Sequence, residues 1–147
     1  MKKTIFSFLV IIFTVFGCVQ EDEGKKLEED ILAILNEIVL ELKTPKNISL
    51  TPRRFIELNA ILMVSNYFWT KDIIKTETNV SSEFLEQYRI EKKKELLSSF
   101  GLTIEEFENY SIGNYKNLQE FSEKNPDIME KYNKLSQMLP TLFEDFN

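Results

Sequence analysis

The hydrophobic residues of this chain change their spacing from block to block, and each spacing predicts a different element. Ile5 to Phe16 runs without a charge. From Leu27 to Leu42 the apolar residues (Leu27, Ile31, Ile34, Leu35, Ile38, Val39, Leu42) recur at steps of three and four. That predicts one amphipathic helix from about Lys26 to Lys43. Glu28, Glu29 and Asp30 stand in its first turns, where carboxylates suit the positive end of the helix dipole. Thr44-Pro45 is expected to end it, because proline disfavours helical backbone at the residue before it.

The next block has a different character. Thr51-Pro52 supplies a capping hydroxyl and a first-turn proline. Apolar residues from Phe55 to Ile74 then cover nearly every side of a helix. A helix without a polar face must be covered all round, so Phe55–Ile74 is predicted to be central, with Leu62 as a buried anchor. Its uncharged stretch, Leu58 to Thr70, would span roughly 20 Å as a helix, short of a bilayer core of about 30 Å. Asn59 and Asn66 lie seven apart on it, with Thr70 one turn further on. This polar stripe either lines a ligand pocket or forms a buried hydrogen-bond ladder, since buried amides need partners.

Three more helices follow from the same reasoning. A linker, Thr76 to Ser82, leads to a helix from Glu83 to Phe100, capped by Ser81 or Ser82. Its apolar set is Phe84, Leu85, Tyr88, Leu96, Leu97 and Phe100, and its charge run, Arg89 to Glu95, reads as a solvated face. Gly101 is expected as a left-handed C-terminal cap. Thr103 and Glu106 form a capping box that opens a helix carried on by Ile104, Phe107, Tyr110, Leu118 and Phe121, with Gly113 loosening its middle. Asn125-Pro126 restarts the chain, with asparagine as the cap. Ile128, Met129, Tyr132, Leu135 and Met138 make a last amphipathic helix, which Pro140 is expected to stop, leaving Leu142, Phe143 and Phe146 as an aromatic tail. The fold class is therefore all-α, a small bundle of four or five helices.

The first eighteen residues change where this bundle belongs. Lys2 and Lys3, the uncharged run and the small Gly17 make a secretory signal peptide. Twelve helical residues span roughly 18 Å, too short for a spanning anchor. Cys18, the single cysteine of 147 residues, follows at once. Val15-Phe16-Gly17-Cys18 resembles a bacterial lipobox: branched apolar, variable, small, cysteine. The resemblance implies a diacylglycerol thioether on Cys18, cleavage by signal peptidase II between Gly17 and Cys18, and acylation of the new amino group. The alternative, an ordinary signal peptide, leaves Cys18 as a lone thiol in a secreted chain. One acyl chain holds a protein to a membrane marginally, whereas two or three hold it durably.

On this reading the chain divides into a signal peptide (1–17), a lipidated cysteine with an acidic tether (18–25) and a helical domain (26–147). Val19, where aspartate would imply inner-membrane retention in enterobacteria, implies the outer membrane in a cell that has one. Gln20-Glu21-Asp22 is similar to the acidic surface-export signal of bacteroidete lipoproteins, and equally fits a plain solvated linker. From Leu96 to Leu135, "FGLTIEEF" with the downstream Asn125-Pro126 resembles small helical envelope lipoproteins of unknown function, which implies no activity.

Charge and missing residue types narrow the chemistry. Loss of Lys2 and Lys3 takes the net charge from −6 to −8. So acidic a chain is a poor ligand for nucleic acid, whose affinity comes from neutralised phosphates. With no histidine and its one cysteine assigned to lipid, the mature chain has no His-based triad and no His-containing zinc site. The four glycines of the full sequence, Gly17, Gly24, Gly101 and Gly113, form no phosphate loop. No catalytic residue, metal or cofactor is expected. The expected role is a lipid-anchored, non-enzymatic module binding an envelope protein or scaffolding one. The alternatives are a carrier of a small hydrophobic ligand in a cavity around Trp69, Met63 and Phe68, and an enzyme built without His or Cys.

Overall fold

A computed structural model of the protein describes residues 23–77 and 79–144. Gly17, Cys18, the first residues of the tether and Phe146 lie outside the described residues. The described chain is an all-α bundle. Its helices are α1 (Glu23–Ile38), α2 (Pro52–Thr76), α3 (Ser82–Ser99), α4 (Ile104–Gly113), α5 (Tyr115–Lys124) and α6 (Pro126–Glu144). There are six rather than four or five because the helix expected after Thr103 is two. Asn114 divides it: its backbone N–H and its Nδ2 both donate to the Tyr110 carbonyl, and its own carbonyl accepts from Leu118 N–H.

Local sequence chemistry sets most helix starts. Thr51 Oγ1 accepts from Arg54 N–H at the start of α2, and Ser81 Oγ accepts from Phe84 N–H at the start of α3. Thr103 and Glu106 form the capping box of α4, and the two hydrogen bonds from Thr103 hold the Glu106 carboxyl below its usual range. Gly101 turns the chain after α3 at φ +73°. A Cβ there would sit 3.3 Å from the Asn47 backbone, so both conformation and space call for glycine. Asn125 stands directly before α6 as expected, and its carbonyl accepts from Met129 N–H, but its side chain turns back instead of capping that helix. Its Nδ2 donates back to the Phe121 carbonyl and closes α5, while α6 begins on Pro126.

The largest departure is the end of the first helix. α1 begins at Glu23, inside the expected tether, and stops at Ile38 rather than near Lys43. In a continued helix Leu42 N–H would donate to the Ile38 carbonyl. Here Leu42 N–H donates to Glu57 Oε2 at 3.0 Å, and Arg53 Nη2 donates to the Ile38 carbonyl at 2.8 Å. Arg53 Nε and Glu57 Oε1 join at 2.6 Å. The Arg53–Glu57 pair is thus inserted into the missing helical hydrogen bond and satisfies both of its halves. Glu57 Oε2 also accepts from Glu41 N–H at 3.0 Å, and Arg54 Nε pairs with Glu41. Val39 and Leu42 keep the helical spacing and remain buried, but they do so from an irregular segment.

α2 is central because it serves two apolar clusters on opposite sides. Phe55, Leu58 and Ile61 pack with Val39, Leu42, Leu97 and Phe100 in one. Ala60, Val64 and Tyr67 pack with α1 (Ile31, Ile38) and α6 (Leu135, Leu142) in the other. Leu58, not Leu62, is the fully buried leucine, and Leu62 is half-buried. Two ties fasten α1. Glu28 accepts from the Tyr67 hydroxyl and pairs with Lys71 of α2, and Glu37 pairs with Lys131 of α6, which holds the Glu37 carboxyl below its usual range.

Two further expectations are corrected by packing. Pro140 does not stop α6, which runs on to Glu144. Proline deprives the Ser136 carbonyl of its helical donor, but Ser136 is exposed and water can take that place. Leu139 and Leu142 on either side are buried, and Phe143 meets Tyr67 edge-on at 5.4 Å, so the last turn is held by the second cluster. Phe84, expected on the apolar side of α3, is 47% exposed, and only Leu96 and Leu97 of that helix are buried.

Candidate functional site

The charged first half of α3 has a structural consequence. It offers α2 few apolar side chains, so the two helices leave a cleft between them of roughly 350 Å³. Asn59, Leu62, Met63, Asn66 and Trp69 of α2 form one wall. Glu86, Arg89, Ile90 and Lys93 of α3 form the other, and Phe107 of α4 completes the lining. The α2 residues recur at helical spacing, as do those of α3, so each helix contributes one face.

The polar stripe divides between the two roles open to it. Asn59 and Asn66 line the cleft. Asn59 Nδ2 donates to the Phe55 carbonyl at 3.1 Å, while the Asn66 carboxamide bonds no group among the described residues. Thr70 does not line the cleft. It is 2% exposed, donates to the Asn66 carbonyl at 2.7 Å and accepts from Arg89 Nε at 3.0 Å. Of the aromatic and sulfur residues expected around a cavity, Trp69 and Met63 reach the cleft. Phe68 lies with the second core cluster, edge-on to Tyr67 at 5.1 Å.

The two cations of the cleft, Arg89 and Lys93, come from the run that reads as a solvated face, and Glu86 precedes it. Lys93 Nζ pairs with Glu108 at 2.7 Å and lies 5.9 Å from the centroid of the Phe107 ring. Arg89 is held by Thr70, a neutral group, and pairs with no carboxylate among the described residues. The sequence does carry a signal for this face: Glu86, Arg89, Ile90 and Lys93 are spaced by three and four. What it lacks is the rotation of α3 about its own axis, which decides whether that face meets solvent or α2.

No group of His, Cys, Asp and Glu among the described residues is arranged to hold a metal ion. Glu86 is the single carboxylate lining the cleft among the described residues. No known protein family matches the chain, and neither the curated proteins nor the solved structures contain one that is significantly similar to it.

Proposed function

We propose that this is a lipid-anchored bacterial envelope lipoprotein whose helical domain is a non-enzymatic binding or scaffold module for another envelope protein. One observation carries the reading: Val15-Phe16-Gly17-Cys18, with the only cysteine, closes a leader of two lysines and an uncharged run. Cys18 is the lipid attachment point, and Gly17-Cys18 is the site of cleavage. No helix among the described residues is long and apolar enough to cross a membrane, and the reading assigns the anchor to Cys18. Val19 in place of aspartate supports the outer membrane in a cell with two.

The reading predicts that Cys18→Ser moves the protein out of the membrane fraction, or leaves an uncleaved precursor, and abolishes labelling by a clickable fatty acid. Fractionation and labelling of wild type and variant check this. Equal membrane recovery and cleavage for the two would defeat it.

The cleft favours a second reading, a binder of a small hydrophobic ligand. Its volume lies at the lower end of the range of ligand pockets. Trp69, Met63 and Leu62 offer an apolar wall, and Asn59 and Asn66 offer carboxamides to orient a ligand.

A further inference from the structure

Arg89 is the unusual member of the cleft. An arginine set between two helices of an acidic protein ordinarily meets a carboxylate, and several are close in sequence. Glu86 is one turn away on α3, yet it does not pair with Arg89. Instead Nε donates to the hydroxyl of Thr70, which is itself oriented by its bond to the Asn66 carbonyl. This arrangement fixes the guanidinium without neutralising it, and its two terminal amino groups bond nothing among the described residues. An oriented, uncompensated guanidinium suits a planar anion that it can grip with paired N–H groups.

We propose that the cleft takes a small amphiphile carrying a single carboxylate, with its head on Arg89 and its apolar body against Trp69, Met63 and Leu62. The proposal rests on the ligand-binding reading of the cleft and specifies its ligand class. The apolar requirement comes from the α2 wall, and the head group from Arg89 beside the unpaired carboxamide of Asn66. Glu86, also in the lining, sets the charge of that head. Its negative charge repels a dianion about twice as strongly as a monoanion, so a carboxylate on Arg89 fits better than a dianionic phosphate. Lys93 adds little attraction, because Glu108 already compensates it.

Trp69 is the only tryptophan of the chain and lines the cleft, so its emission reports occupancy. The full chain in phosphatidylcholine vesicles is titrated at pH 7 with octanoate and, separately, with 1-octanol. Free concentrations are corrected for uptake by protein-free vesicles. The expected result is a saturable change in Trp69 emission with octanoate, and affinity for 1-octanol weaker by about tenfold or more, as charge-assisted hydrogen bonds warrant. Arg89→Gln should bring the two ligands to the same affinity with unchanged helicity. Equal affinity for both in the wild type would overturn the carboxylate assignment and leave the ligand-binding reading standing. No saturable response to either would overturn both.

Discussion

Glu57→Ala is expected to lower the stability of the domain by about 3–5 kcal/mol, the cost of removing one partner from a buried ion pair. Glu57 is wholly buried, and its carboxylate accepts from Arg53 and from the backbone N–H groups of Glu41 and Leu42. Alanine leaves all three donors without their acceptor. The Ile38 carbonyl keeps Arg53 as its donor only while Arg53 stays where Glu57 holds it. The loss therefore reaches the end of α1 and the chain that follows it. Glu57→Gln should recover only part of the stability, because its amide group sets donors against donors. Urea unfolding followed by circular dichroism measures both variants. A cost below about 1 kcal/mol for alanine, within the range of an exposed pair, would show that the α1 break is held by packing alone.

Phe100→Ala is expected to cost a similar amount, about 3–5 kcal/mol, through a different mechanism. Phe100 is wholly buried in the cluster shared by α2, the end of α3 and residues 39–51. Its ring belongs to the cluster that also takes in Phe107 of α4, and its carbonyl accepts from Ile48 N–H at 3.0 Å, which brings the irregular segment onto the core. Alanine retains that backbone bond and leaves a void of most of the ring. The same urea experiment should show a lower midpoint with an unchanged slope, the signature of lost stability in an otherwise similar fold. An unchanged midpoint would mean that the ring is not part of the core.

What could be read from sequence, and what could not, follows the distance over which each feature is decided. The Thr51 cap, the Thr103–Glu106 box and the Gly101 turn depend on residues within a few positions and stand as read, and of the two serines open as the cap of α3 it is Ser81 that serves. The all-α class and the central α2 were likewise legible, from periodicity and from its absence. The end of α1 was not. Val39 and Leu42 continue the helical period, while the groups that break the helix, Arg53 and Glu57, are about fifteen residues away. A glutamate within an apolar helix gave a hint, since buried carboxylates require donors. Pro140 was misread because its local penalty is overridden by contacts made by Leu142 and Phe143 with distant helices. The cleft was half legible. Asn59, Asn66, Met63 and Trp69 share a face that α2 alone specifies, whereas Arg89 became visible only once α3 was docked and turned.

Anchoring through Cys18, as proposed, can be decided by mass spectrometry of the N-terminal tryptic peptide of the mature protein. Trypsin should release a peptide from Cys18 to Lys25. This peptide is expected to begin at Cys18 and to carry a diacylglyceryl group on its sulfur, with a further acyl group on its amine in the fully processed form. A mature protein with an unmodified Cys18, or one that retains residues 1–17, would contradict it.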